Sequence, residues 1–451
     1  MDDAYAEFLA SKAIADPMTG LSGPFDLSET MFPFQRDLTQ WALNRGRAGL
    51  FAGTGLGKTL MELAWAQEVM RETKRPLLHL APLAVTAQIE REGAKFGIQP
   101  GTLTNYQKLG HCDLSDFGGV VLDESSILKS VDGHYRTRLI EECAQIPFRL
   151  AATATPSPND FMELGNHAEF LGVMSYNDML ATFFVHDGGD TQKWRLKGHA
   201  ENEFWKWMAS WSVMLRKPSD LGYSDEGYDL PPLNYHSHIV SVEHDPAVTG
   251  TLFAVEAQGL SGRITARRNS IEDRVAKAVE LTPAENPFVW WCNLNAESEA
   301  LAKQISGAVE VRGSDSEDAK ERKLIDFSEG RIRVLVTKPS ICGFGMNWQH
   351  CRETGFVGLN DSFEQYYQAV RRFWRFGQTQ PVNCHIVAAS TEGAVVANIR
   401  RKEADMERMA EAMVMHTREL SSLAVRGQLR DNPLYNPQIP MQLPAWLENA
   451  A

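Results

Sequence analysis

Cysteine is scarce in this chain and stands scattered: six residues in 451, with no Cys-x-x-Cys pair. Cys342 and Cys351 are the nearest two, and no pattern of further His or Cys stands at ligand spacing around them. A disulfide framework and a thiolate zinc site are therefore set aside, and the thiols read as reduced groups of a cytoplasmic protein. Long apolar runs are missing too; none reaches the ~20 residues of a membrane span. The opening Met1-Asp2-Asp3 is acidic and carries no signal-peptide pattern. Internal repeats and low-complexity tracts are absent. Positive charge is in deficit, with 45 Lys and Arg against 58 Asp and Glu and a net charge of −13. That balance argues against tight, purely electrostatic binding to nucleic acid, but a local basic groove can sit on an acidic protein. What is present is a globular composition, 43% apolar, in a chain long enough for two or three domains of roughly 100–200 residues.

The chain is organised around Ala52-Gly53-Thr54-Gly55-Leu56-Gly57-Lys58-Thr59. An apolar run, Ala48 to Phe51, precedes it, and a helical pattern, Leu60 to Met70, follows. Strand, glycine-rich loop and helix form the setting of a phosphate-binding loop. Glycines let backbone N–H groups wrap an anion, and the following helix presents its positive end to it. Lys58 would reach the outer phosphates of ATP, and Thr59 would ligate Mg²⁺. Upstream, Gln35 follows Phe32-Pro33-Phe34. A glutamine amide can donate to and accept from one adenine edge. A solvent-facing Gln on an amphipathic helix is the plain alternative, which the nearby phosphate loop disfavours.

Gly119-Val120-Val121-Leu122 reads as a buried strand running into Asp123-Glu124-Ser125-Ser126. Carboxylates at a strand's carboxyl end complement such a loop. Asp123 would hold Mg²⁺ through its water shell, and Glu124 would activate the attacking water. Strands alternate with helices from Ala48 to Pro156, which predicts a parallel, doubly wound sheet. Residues 160–235 are rich in aromatics, among them Phe204-Trp205-Lys206-Trp207 and Trp211. They read as a small helical core or brace in preference to a base-stacking surface. A second α/β unit begins near Tyr235. It ends in Gln368-Ala369-Val370-Arg371-Arg372-Phe373-Trp374-Arg375-Phe376-Gly377-Gln378, followed by a strand over 382–388 and a long helix to about His416. Arg372 and Arg375, three apart, are expected on one helix face. No acid stands four residues on, so they suit an external anion such as the γ-phosphate; a solvated basic helix or a plain DNA contact is the alternative.

With both units read, the chain resembles the Swi/Snf family of superfamily-two ATPases, in a compact bacteriophage-like form, over about Phe32 to Ala388. Besides the stretches quoted, Thr153-Ala154-Thr155-Pro156 with Asn159, Gly343 to Gln349, and Leu215-Arg216-Lys217 with Leu230-Pro231-Pro232 fall in the family's order. Arg371 stands where the family has an acid, Ile89 where it has Trp, and Ser125-Ser126 where it has Ala-His. These departures leave the ATP chemistry intact and bear on the substrate. The resemblance implies an α/β fold of two RecA-like lobes, 31–165 and 235–392. A leader (1–30), a helical inter-lobe segment (166–234) and a C-terminal helix with an extended tail (393–451) complete the expected chain. It further implies an ATP hydrolase that translocates on double-stranded DNA. A strand-separating helicase on DNA or RNA, or a non-catalytic ATP clamp, are the alternatives. Expected at the ATP site are Gln35, Gly53, Thr54, Gly55, Leu56, Gly57, Lys58 and Thr59, with Asp123, Glu124, Arg372 and Arg375 as catalytic partners. Nucleic-acid contacts are expected at Thr104, Thr155 and Lys338, strand-end residues facing away from the nucleotide.

Overall fold

A computed structural model describes residues 19–111, 114–129, 133–157, 160–187, 190–241, 270–342, 347–359 and 362–425. Residues 1–18 of the expected leader, Asn159, residues 343–346, and the tail beyond 425 lie outside these.

The first lobe opens with α1 (Pro33–Arg45), β1 (Arg47–Ala52), α2 (Lys58–Thr73), β2 (Leu77–Ala81), α3 (Leu83–Phe96) and β3 (Thr102–Asn105). It continues with β4 (Gly119–Asp123), α4 (His134–Glu142), β5 (Phe148–Ala152), α5 (Leu164–Leu171) and α6 (Tyr176–Phe183). A hairpin, β6 (Phe184–Asp187) and β7 (Asp190–Leu196), leads to α7 (Glu201–Trp211) and β8 (Ser212–Leu215). The six-stranded sheet runs β3-β2-β4-β5-β1-β8, all parallel. Alternation divides its side chains. Ala48, Leu50 and Ala52 of β1 pack with α1 and α2, while Phe51 points to the other face, among Phe170, Phe204 and Trp211.

The second lobe comprises β9 (Leu233–Val240), α8 (Ile271–Leu281), β10 (Phe288–Cys292), α9 (Asn295–Gln304), β11 (Ala308–Glu310) and α10 (Glu317–Ser328). Then come β12 (Val334–Thr337), α11 (Pro339–Cys342), β13 (Glu353–Val357), α12 (Phe363–Val370) and β14 (Val382–Ala389). Its sheet, β11-β12-β10-β13-β14-β9, is also wholly parallel. The architecture is thus α/β, two helix-flanked parallel sheets of the RecA-like kind. The last helix, α13 (Gly393–Val425), belongs to both lobes. Val395 and Ile399 pack in the second, whereas Ala410, Met413 and Val414 pack in the first. Among the described residues no helix is long and apolar enough to cross a membrane.

One boundary moves. Segment 166–234, expected as a helical connector, builds much of the first lobe. Within it, β8 is the edge strand beside β1, with Gly49 opposite Ser212 and Ala52 opposite Leu215. The aromatic stretch is core: Phe204, Trp205, Trp207 and Trp211 are all buried. The crossing proper is the short stretch from Arg216 to β9.

The second lobe carries a wholly buried ion pair. Arg274 Nη1 donates to Glu297 Oε1 at 2.7 Å, and its Nε donates to Ser270 Oγ at 2.9 Å. Glu297 Oε2 also accepts from the N–H groups of Asn293 and Leu294, at 2.9 and 2.8 Å, fixing the start of α9. Glu297→Ala should therefore lower lobe stability by about 3–5 kcal/mol, since it strips a buried guanidinium of its nearer carboxylate. Urea unfolding followed by tryptophan fluorescence reads this, because Trp290 and Trp291 lie in the same sheet.

Candidate active site

The loop between β1 and α2 is held in a shape that glycine alone takes easily. Gly55 has φ +91° and Gly57 φ +80°. A Cβ on Gly57 would lie 2.3 Å from Gln35 Nε2, and one on Gly55 would lie 2.9 Å from the backbone nitrogen of Phe376. The loop is thus pinned between α1 and the second lobe. No side chain caps the N-terminus of α2, so no side chain competes there with an anion for the leading N–H groups. Lys58 Nζ donates to the Ala52 carbonyl at 2.9 Å, folded back across the loop. Gln35 is buried: its Nε2 donates to the Leu56 carbonyl at 2.9 Å, and its Oε1 accepts from the Phe32 N–H at 3.0 Å. It braces the loop directly and keeps one donor and one acceptor capacity for a base edge.

In the order β4-β5-β1, Asp123 at the end of β4 is separated from the loop by a single intervening strand, β5. Asp123 is buried, and its carbonyl accepts from Tyr106 Oη at 2.5 Å. Glu124 turns at φ +55°, a conformation costly for a side chain other than glycine's. Its Oε2 accepts from Thr153 Oγ1 at 3.3 Å and from Gln368 Nε2, of the second lobe, at 3.4 Å. Burial pushes both carboxyls above the ordinary range. For Asp123 the neighbouring Glu62 and Glu124 add to this; for Glu124, Lys58 and Arg372 oppose it.

Two groups in this cluster escaped the sequence reading. Glu62 on α2 and His79 on β2 are both fully buried, with His79 Nε2 3.4 Å from Glu62 Oε2. Among the described residues no hydrogen-bond donor reaches the Glu62 carboxylate. Burial pushes Glu62 up to about 8 and pulls His79 down to about 4. The available signal was a charged residue inside each apolar run, Leu60-Met61-Glu62-Leu63 and Leu77-Leu78-His79-Leu80.

The paired arginines arrive from the second lobe, although not on a helix. α12 ends at Val370, and residues 371–376 form successive turns. The Arg372 carbonyl, which would continue a helix, accepts instead from the Trp348 N–H at 3.0 Å. Arg372 is buried and acts electrostatically on Glu124. Arg375 donates through Nη1 to Asn347 Oδ1; its buried Nε has no partner among the described residues, and desolvation lowers its pKa. This segment also lines a cavity of about 530 Å³ between the lobes, together with Gly53, Thr54 and Leu56 of the loop, Thr155 and Met413. There the Arg371 guanidinium lies 4.2 Å over the Trp374 ring and 5.0 Å over Tyr367.

The expected nucleic-acid residues do not form one surface. Thr104 in β3 and Lys338 after β12 are half-buried at strand ends of different lobes. Thr155 is 1% exposed and lines the cavity between the lobes, so it is not an exposed contact in this arrangement. For a divalent cation, the donors in place are the Thr59 hydroxyl and the Asp123 carboxylate. Among the described residues no three His, Cys, Asp or Glu converge on a self-sufficient metal cage. Mg²⁺ needs none, because it keeps waters and takes phosphate oxygens. Buried carboxylates beside an anion cradle fit that ion.

The buried pair gives stability a pH dependence. Glu62, raised when folded, contributes stability that is full below its unfolded pKa and is lost as pH rises through about 8. His79, lowered when folded, contributes stability that is full above its unfolded pKa and is lost as pH falls through about 4. The two slopes cancel in mildly acid solution, and only the Glu62 slope remains from about pH 6.5 to 8. Glu62→Gln should flatten the decline there by roughly 1.4 kcal/mol per pH unit, read from urea midpoints at the two ends of that window.

No protein-family profile matches the chain. It is similar to protein p41 of Acyrthosiphon pisum secondary endosymbiont phage 1, 26% identical over 471 aligned positions that cover 84% of this chain and 98% of that protein. An alignment of that extent takes in residues of both lobes.

Proposed function

We propose that this chain is an ATP-driven motor of the Swi/Snf type, coupling hydrolysis at the inter-lobe cleft to movement on double-stranded DNA. The observation that carries the reading is the meeting of two lobes over one loop. Phe376 abuts Gly55, Gln368 reaches Glu124, and Arg372 acts on Glu124 from across the cleft. In this reading the loop N–H groups and Lys58 hold the phosphates of ATP. Glu124 orients the water and takes its proton, for which a raised pKa is suited. Arg372 and Arg375 stabilise charge that develops on the transferring phosphoryl group. Mg²⁺, held by Thr59 and Asp123 with phosphate oxygens, would neutralise charge on the phosphates. Alternation between apposed and parted lobes then supplies the movement, because ATP touches both.

Lys58→Ala should abolish hydrolysis, and near wild-type turnover in that variant would end the proposal. Glu124→Gln should bind ATP normally and hydrolyse it slowly, since an amide cannot accept the proton. Arg375→Lys should reduce kcat by roughly 10³-fold with little change in nucleotide affinity, because a point charge does not replace a planar fork. Hydrolysis measured with duplex DNA, single-stranded DNA and RNA names the track. Stimulation by RNA alone would replace DNA in this reading.

A further inference from the structure

The start of α12 carries a carboxylate that none of this chemistry uses. Glu364 Oε1 accepts from Ser126 Oγ at 2.7 Å, and its Oε2 pairs with Lys129 Nζ. Both partners belong to the turn that follows Glu124 in the other lobe, and Ser126 is 1% exposed. The helix start is itself fixed, since Ser362 Oγ accepts from the Gln365 N–H at 3.4 Å. Four residues after Glu364 stands Gln368, which donates to Glu124, and four further on stands Arg372, which acts on Glu124. Residues 364, 368 and 372 thus meet residues 124, 126 and 129 in one line across the cleft.

We infer that Glu364 is a positioning residue for the proposed hydrolysis: it docks the turn carrying Ser126 and Lys129 onto α12, so that Gln368 and Arg372 meet Glu124 in register. This rests on the reading of the cleft as an ATPase site. Lys129 has a second part in it. A carboxylate this near Glu124 opposes ionisation of the latter, and an ammonium on its far oxygen offsets that charge. Ser126 supplies a hydrogen bond without charge. The contact is bidentate and half-shielded, which separates it from exposed ion pairs such as Arg91 with Glu321 at 3.7 Å.

The experiment compares the full chain with Glu364→Ala, Lys129→Met, Ser126→Ala and the Lys129→Met/Glu364→Ala double variant. Expected is a loss of kcat for ATP of roughly ten- to a hundredfold in Glu364→Ala, as for a misplaced catalytic group, with KM within about twofold. The double variant should be no slower than Glu364→Ala, because both changes break one contact. Unchanged kcat, or losses that multiply in the double variant, would overturn the inference. Hydrogen exchange of the amides of 363–370 is the second readout and needs no turnover. It should quicken in Glu364→Ala while β10 and β13 stay protected, and unchanged exchange would overturn the docking. A wild-type chain that hydrolyses no ATP would refute the ATPase reading, while the exchange result would still decide the docking.

Discussion

Three carboxylates buried within electrostatic reach of one lysine set the terms for this molecule. Glu62, Asp123 and Glu124 all feel Lys58, and burial raises the pKa of each. A single ammonium cannot satisfy three anions in a low-dielectric pocket. The first lobe answers in part by holding Glu62 protonated up to about pH 8 beside a neutral His79. From outside the lobe, Arg372 opposes the rise at Glu124. The charge deficit of the first lobe is in this sense the reason for the second.

Much of this was legible in the sequence because it is local. A glycine-rich loop between strand and helix, two acids at a strand end and two arginines three apart are patterns of a few residues. Their meaning depends little on the rest of the chain, and the structure brings them together over one loop. The parallel sheets followed from alternation of strands and helices. What escaped depends on contacts distant in sequence. β8 is four residues inside an aromatic stretch, and only its pairing with β1 makes it a strand of the first sheet. Glu62 and His79 meet only because α2 packs on β2, a contact that no local pattern announces. Thr155 was read as a strand-end residue facing away from the nucleotide; it is buried beside the inter-lobe cavity. The arginines stayed on the expected side, but a carbonyl captured by Trp348 replaced the expected helix with turns.

Replacement of Ala-His by Ser125-Ser126 and of an acid by Arg371 marks where this chain departs from its resemblance. The two changes have different surroundings. Ser126 meets Glu364 across the cleft, a contact that needs a small hydroxyl. Ser125 Oγ lies 3.1 Å from the buried His167 Nε2 within its own lobe, and burial pulls His167 down to about 4. Arg371 points away from the carboxylates, onto Trp374 and Tyr367, where an acid would lose the cation–π contact. Of these departures Ser126 falls on the seam between lobes, while the loop that would hold phosphate is unaltered.

α13 joins those seams a second time. Its 33 residues span about 50 Å, rooted in the second lobe and laid along the first. His416 stacks on Trp205 at 5.2 Å, Arg418 donates to the Ser219 carbonyl at 3.1 Å, and Ser422 donates to the Leu221 carbonyl at 3.3 Å. The chain crosses between lobes once before β9 and once along this helix. Two bodies tied at two separate points lose most of their relative freedom; what is left is rotation about the line through the ties. The pair of crossings thus acts as the pin of a door hinge, and it makes opening of the cleft a swing in one plane.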